Sequence, residues 1–160
     1  MTPEENARQK IDNLLLQAGW IIQDRDSFDR TAGLGVAVRE FLMAYGTEAD
    51  YLLFVDGKAC GVIEAKKAGK TLSGVENQSH GYACHLPDYV KNWQQPLPFV
   101  YESTDNETFF CDGRDKNCRS RRIFAFHSPQ SLLAMLKDND TLRNRLKQMP
   151  VLEKGSLRDC

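Results

Sequence analysis

The chain has 160 residues, of which 41% are hydrophobic and 27% charged, a composition typical of one soluble domain with its own core. The net charge of −1 excludes a wholesale basic nucleic-acid-binding protein. No apolar run reaches the ~20 residues of a membrane helix, and the polar start (MTPEENARQK) is not a signal peptide. We therefore expect a cytoplasmic protein with no membrane partner.

The first predicted element is a helix over residues 2–18. Thr2 can cap it, Pro3 suits its first turn, and Glu5 completes a capping box. Residues 24–35 are then predicted to form a loop. Three strands follow, at Val36–Ala44, Ala49–Val55 and Lys58–Lys66, and Asp56-Gly57 between the last two is a strong hairpin signal. Both faces of these last two strands carry apolar residues, which predicts a sheet covered on both sides.

A second capped helix is predicted over about residues 73–85. Strands are predicted at 98–103, 108–111 and 122–126, and two helical runs at 128–137 and 139–148. Basic side chains cluster in two places, and either cluster suits phosphate contact or a solvated loop equally well; they are Lys66, Lys67 and Lys70, and Arg114, Lys116, Arg119, Arg121 and Arg122.

The five cysteines are an odd number without any Cys-x-x-Cys pair, which predicts reduced thiols. They are Cys60, Cys84, Cys111, Cys118 and Cys160. A zinc site built from Cys84, His85, Cys111 and Cys118 is a weak alternative, because the spacing fits no common zinc motif.

The stretch GVIEAKKAGKT, residues 61–71, is compatible with two kinds of site. Gly69-Lys70-Thr71 resembles the end of a phosphate-binding P-loop, but Glu64 stands where the first glycine of that motif belongs. A carboxylate there would repel phosphates. The alternative is a nuclease site, in which Glu64 and Lys66 project from one face of a strand and Ala65 from the other.

The nuclease interpretation needs a second carboxylate, and Asp50 at the start of the preceding strand is the candidate. Opposed residues of an antiparallel pair have a constant sum of positions, and only an even sum puts Asp50 and Glu64 on one face. We expect a three-residue or bulged loop, with Val55 opposite Ala59 and Asp50 opposite Glu64. Gln78 and Tyr82 share a face of the helix that follows.

With Asp50, Glu64-Ala65-Lys66 and Gln78-x-x-x-Tyr82 assembled, the sequence resembles the PD-(D/E)xK nucleases, and more narrowly the N-terminal nuclease domain of the R subunit of type I restriction enzymes. The stretches ENARQKIDNLLLQAGW, ADYLLFVDGKACGVIEAKKAGKTLSGVENQSHGYA and LPFVYEST carry the likeness. Ala49 stands where the family name has proline. The resemblance implies an α/β, restriction-endonuclease-like fold whose central mixed sheet is flanked by helices.

The resemblance also implies the roles of the site residues. Asp50 and Glu64 would bind Mg²⁺, for which Mn²⁺ can substitute, together with the Ala65 carbonyl. Lys66 would position the attacking water or offset charge at the phosphate. Gln78 and Tyr82 would orient the site and the DNA backbone. Glu5 is a candidate third acid by analogy, although a capping role is at least as good an account of it.

The activity implied is that of a type I site-specific deoxyribonuclease acting on double-stranded DNA, with methylation and specificity subunits as partners. Residues 1–128 would form the nuclease domain. Residues 129–160 would form a helical tail that leads into a downstream translocase, the only part expected to use ATP. The alternative function is a nuclease-fold module that binds DNA or docks, with little or no cutting in isolation.

Overall fold

The computed structural model of the chain describes residues 2–66, 83–115, 118–138 and 141–150. Within these ranges no helix is long and apolar enough to cross a membrane. The elements in chain order are α1 (Pro3–Gln17), β1 (Ile21–Asp24), β2 (Gly35–Leu42), β3 (Glu48–Val55), β4 (Lys58–Ala65), β5 (Phe99–Ser103), β6 (Thr108–Asp112), β7 (Arg121–Ile123), α2 (Pro129–Lys137) and α3 (Leu142–Gln148). Of the helix predicted over 73–85, only Ala83, Cys84 and His85 fall among the described residues; Ala83 and Cys84 are helical, and His85 is not.

The strands form one seven-stranded sheet in the order β1 to β7. The pairs β1–β2 and β4–β5 are parallel, and the remaining pairs are antiparallel. The expected mixed sheet is therefore confirmed. The parallel β4–β5 pair brings the end of the hairpin strand β4 beside the end of β5.

Helix α1 begins at the capping box that the sequence predicts. The Thr2 backbone N–H donates to the Glu5 carboxylate at 2.7 Å, and the Glu5 N–H donates to the Thr2 hydroxyl at 3.2 Å. Such a cap contributes ~1 kcal/mol to helix stability. Ala7, Ile11 and Leu15 recur at helical spacing and are buried, so this face fixes α1 against the sheet.

Apolar side chains cover the sheet on both faces, as predicted. One cluster contains Ile11 and Leu15 of α1 and Leu132 of α2, together with Tyr51, Leu53 and Ile63 of the central strands. The opposite cluster packs Ala83, Leu86, Val90 and Leu97 against Leu52, Phe54 and Val62. The central strands therefore have little side-chain surface left for polar groups except at their ends.

Strand β1 was not predicted from the sequence. It runs parallel to β2 at the edge of the sheet, with Ile21 beside Val36. Its four residues are exposed or only half-buried, so they carry no clear alternation of apolar and polar side chains. An edge strand of this kind is held mainly by backbone hydrogen bonds that a sequence pattern does not reveal.

The β3–β4 hairpin has the expected register near Asp50, but a bulge within the strands produces it and the turn does not. The turn is a two-residue turn in which Asp56 and Gly57 have φ of 52° and 76°, so Val55 lies opposite Lys58 rather than Ala59. An irregularity between Leu53 and Phe54 then shifts the register, because Leu53 pairs with Gly61 while Phe54 pairs with Ala59. Cys60 is the extra residue, and such an insertion is a β-bulge.

Two of the cysteines are paired with each other. The sulfur atoms of Cys111 and Cys118 are joined as a disulfide, so the prediction that the thiols are reduced was wrong for these two. Cys60 and Cys84 are free, and Cys60 is buried.

Gly61, next to the bulge, is required by the close approach of β5. A Cβ atom at this position would lie 2.6 Å from the Phe99 carbonyl oxygen and 2.9 Å from its Cβ. We expect Gly61→Ala to lower the free energy of unfolding by about 1–3 kcal/mol, the usual range for overpacking. Urea denaturation measures this. Gly113→Ala is the matched control, because its nearest atom would be the Pro98 oxygen at 3.4 Å; equal loss in both variants would contradict the explanation.

Candidate active site

Asp50 lies where the β3–β4 ladder ends. The last pair is Tyr51 with Ile63, and the same register places Asp50 opposite Glu64. Instead of continuing the ladder, one carboxylate oxygen of Asp50 accepts a hydrogen bond of 2.9 Å from the Ala65 N–H. Asp50 is thereby fixed beside the two residues that flank Ala65.

Glu64 is a buried acid with a cation at one side. Its residue is only 5% exposed, and Lys66 Nζ lies 3.8 Å from Oε2. Burial raises the pKa of the Glu64 carboxyl from its ordinary 4.5 to about 8; the Asp50 charge and a hydrogen bond with the Asp50 side chain also raise it, while Lys66 lowers it. Glu64 and Asp50 therefore interact directly.

Lys66 continues the backbone pairing of β4 beyond its last strand residue. Its N–H donates to the Ser103 carbonyl at 2.7 Å, and its side chain is only 16% exposed. The structure thus brings Asp50, Glu64 and Lys66 together at one end of the hairpin, as the sequence predicts. Because β4 continues as a strand through Ala65, Glu64 does not begin a P-loop.

Two charged residues that the sequence analysis missed complete this end of the sheet. Arg8 of α1 donates to Asp50 Oδ1 at 2.9 Å and to Glu40 Oε1 at 2.5 Å. Glu40 belongs to β2, where its φ of 51° interrupts the strand. Contacts that join positions so far apart in the chain leave no trace in local periodicity.

Glu102 is a further buried acid near the site. It lies opposite Glu64 in the parallel β4–β5 register and is 3% exposed, so both side chains project from the same face of the sheet. The signal for it was present in the sequence as a glutamate at the end of an apolar strand, in LPFVYEST.

The end of α1 that carries Arg8 is anchored independently of Arg8. Asp12, one helical turn later, accepts hydrogen bonds from Arg39 at 2.7 Å and from the Tyr51 hydroxyl at 2.7 Å. Tyr51 is itself fully buried beside Asp50 in β3. The helix is thus tied to the same strand that supplies the carboxylate.

Four of the other residues singled out in the sequence cannot be placed relative to this arrangement. Gln78 and Tyr82 lie outside the described residues, as do Lys67 and Lys70. The Glu5 carboxylate accepts the capping hydrogen bond of Thr2. Arg114 of the second basic cluster is turned inward, where it binds Asp112 at 2.8 Å and the Met135 carbonyl at 2.8 Å.

A hard divalent cation fits the chemistry of this donor set. In the described part of the chain no group of three or more His, Cys, Asp or Glu side chains is placed to hold a metal. Mg²⁺ is instead bound through one or two carboxylates and keeps several waters. Glu64 Oε1 is buried and has no hydrogen-bond partner among the described residues. A cation beside it would offset the free-energy cost of burying the ionised carboxylate.

Comparison with known proteins places the chain in a family. A family model described as "Type I restriction enzyme EcoKI endonuclease subunit second domain" matches residues 27–136, more than two thirds of the chain. The chain belongs to this restriction-enzyme family. The matched region includes Asp50, Glu64 and Lys66, and it excludes α1 with Arg8.

Two relatives of this restriction-subunit chain are much longer than it is. It is 26% identical to the Type I restriction enzyme EcoKI endonuclease subunit of Escherichia coli (strain K12) over 89% of the chain, but that alignment spans only 16% of the relative. A structure described as a fragment of an HsdR subunit of a type I restriction enzyme from Vibrio vulnificus YJ016 matches with a TM-score of 0.61 and 18% identity, over 85% of the chain and 25% of the other. The latter match supports a shared fold.

The raised pKa of Glu64 predicts an unusual dependence of stability on pH. Between pH 4.5 and 8 the folded state binds more protons than the unfolded state, so this carboxyl contributes a loss of stability as pH rises through that window. We expect Glu64→Gln to be more stable than the original chain by roughly 1–3 kcal/mol at pH 9 without metal, and the difference to vanish at pH 4.

Urea denaturation at both pH values in EDTA measures the effect. Glu48→Gln is the control, because Glu48 lies on the neighbouring strand β3 and its side chain is 43% exposed. A Glu64→Gln variant that is less stable at pH 9 would show that the ionised carboxylate is favourable where it lies.

Proposed function

We propose that this chain is the Mg²⁺-dependent endonuclease module of a type I restriction enzyme R subunit, with a PD-(D/E)xK fold, and that it hydrolyses phosphodiester bonds in double-stranded DNA. The observation that carries the proposal is the meeting of Asp50, Glu64 and Lys66 at the end of one hairpin, linked by the 2.9 Å hydrogen bond from Ala65 to Asp50 and the 3.8 Å approach of Lys66 to Glu64. Membership of the restriction-enzyme family supports DNA as the substrate.

Asp50, Glu64 and the Ala65 carbonyl would hold the Mg²⁺, and Mn²⁺ would substitute for it. When bound, the cation would supply an activated water and compensation of charge on the phosphate. The 16% exposed Lys66 side chain remains reachable from solvent and places its ammonium 3.8 Å from Glu64 Oε2. It would therefore attract the phosphate to the same place and stabilise the negative charge that develops there.

The remaining parts of the proposed site come from outside this cluster. Gln78 and Tyr82 would orient the DNA backbone against it. The whole restriction complex would add methylation and specificity subunits and a downstream translocase in the same chain, and ATP would be used by that motor. The chain spans about a sixth of the curated relative that it matches. The partner subunits and the translocase are therefore part of the proposal and lie outside the described residues.

A second candidate function is a nuclease-fold module that binds DNA or docks without cutting on its own. The contact between Arg8 and Asp50 Oδ1 at 2.9 Å favours it, because a cation partner already occupies one of the carboxylate oxygens that a metal would need. Metal binding therefore separates the two functions before any cleavage assay.

Titration of the chain with Mn²⁺, measured by isothermal titration calorimetry, tests the proposal. We expect one site that Asp50→Asn and Glu64→Gln each weaken by at least about tenfold, since each removes one of two carboxylate ligands. Glu48→Gln should bind as the original chain does. Binding that survives in the Asp50→Asn and Glu64→Gln variants would place the metal elsewhere and remove the proposed site.

Lys66→Ala should affect the chemical step and leave the metal site in place. In the reconstituted restriction complex we expect plasmid cleavage to fall by about 10²–10³, the usual effect of removing a group that stabilises developing charge. ATP hydrolysis, measured in the same reactions, should continue. Lys58→Ala is the matched control, because Lys58 lies at the other end of β4 against Trp93.

Two outcomes would contradict this role of Lys66 in the chemical step. Normal cleavage by Lys66→Ala would exclude it from the site. Loss of soluble protein, together with loss of both activities, would make its role structural.

A further inference from the structure

The acidic end of the hairpin already contains an internal cation. The Arg8 guanidinium bridges two carboxylates on neighbouring strands, Asp50 of β3 at 2.9 Å and Glu40 of β2 at 2.5 Å. Positions 40 and 50 lie opposite each other in the β2–β3 register, between the pairs Arg39–Tyr51 and Phe41–Ala49. Arg8 therefore links the neighbouring strands β2 and β3 at Asp50, the residue proposed to hold the metal.

Asp50 has no carboxylate oxygen left without a partner. Oδ2 accepts from the Ala65 N–H and Oδ1 accepts from Arg8, whereas the buried Oε1 of Glu64 has no hydrogen-bond partner in the described part of the chain. A divalent cation that binds both acids would have to share Asp50 with a guanidinium. Two positive groups on one carboxylate repel each other, most strongly at the partly buried end of a sheet.

Glu40 provides a second place for the guanidinium. Arg8 contacts Glu40 and Asp50 through different nitrogens, NH1 and NH2, and its side chain is 40% exposed. It can therefore leave Asp50 while it keeps Glu40, without any change in α1. Arginine suits this role because its charge persists at every physiological pH.

We propose that Arg8 is a positioning residue that competes with the divalent cation for Asp50, so that the site binds metal only when the guanidinium is displaced toward Glu40. This inference rests on the proposed function of Asp50 and Glu64 as metal ligands. Its consequence is that the described site binds metal more weakly than its two carboxylates alone would. Removing Arg8 then strengthens metal binding, which is the opposite of what the loss of a structural contact does.

Helix α1 does not depend on Arg8 for its place on the sheet. Its own residues Ala7, Ile11 and Leu15 are buried. Asp12, also in α1, accepts hydrogen bonds from Arg39 and Tyr51. The Arg8→Gln variant is therefore expected to fold, and thermal unfolding of the metal-free variants checks this.

The experiment is calorimetric titration of the whole 160-residue chain with Mn²⁺ alone. We expect Arg8→Gln to bind Mn²⁺ about three- to tenfold more tightly than the original chain, the gain expected from removing one partly exposed competing charge. Arg8→Lys retains the charge and should restore most of the weaker affinity. Lys10→Gln is the matched control: it makes the same charge change on an exposed position of α1 and should alter the affinity less than twofold.

The outcomes distinguish this inference from the proposed function. Tighter binding by Arg8→Gln that Asp50→Asn abolishes supports both. If the original chain binds Mn²⁺ through Asp50 but Arg8→Gln binds it equally or more weakly, competition by Arg8 is overturned while the metal site stands. If neither the original chain nor Arg8→Gln binds Mn²⁺, the proposed metal site and the inference both fall.

Discussion

One inserted residue in the β3–β4 hairpin sets the relation between the two central acids. Near the turn, Val55 pairs with Lys58 and Phe54 with Ala59, while beyond Cys60 the pairs are Leu53 with Gly61 and Tyr51 with Ile63. Because side chains alternate along a strand, a one-residue shift in pairing decides which residues of the two strands share a face. Without the bulge, Asp50 and Glu64 would not come into register, and the Ala65 N–H would not be placed to bind Asp50.

The surrounding structure buries this arrangement and makes it unfavourable in electrostatic terms. Apolar clusters cover both faces of the central strands, so the acids at the strand ends are held close to a medium that disfavours charge. Glu64 responds with a raised pKa, and Asp50 is compensated by Arg8. The buried Oε1 of Glu64 has no hydrogen-bond partner in the described part of the chain, which suits an external cation and connects the packing of the sheet to the proposed chemistry.

The sequence predicted most of the elements, because those features have local signatures. The capping box of α1 and the strands on either side of Asp56-Gly57 follow from short-range patterns, whereas the meeting of Asp50 and Glu64 was expected from the chemistry that a nuclease site needs. The even register was required by the chemistry, but its cause was assigned to the loop at Asp56-Gly57. The isolated Gly61 beside Cys60, which is a signal for a bulge within a strand, was not used. Edge strand β1 was missed because it buries little. Arg8 and Glu40 were missed because their contacts join residues far apart in the chain, which periodicity does not encode.

The central claim is that Asp50 and Glu64 share one divalent cation. Diffraction from crystals soaked in Mn²⁺, collected near the manganese absorption edge, tests it most directly because the anomalous signal locates the ion itself. We expect one strong peak in contact with a carboxylate oxygen of Asp50 and one of Glu64. A peak that contacts only one of these acids, or a hairpin whose register places their side chains on opposite faces of the sheet, would contradict it.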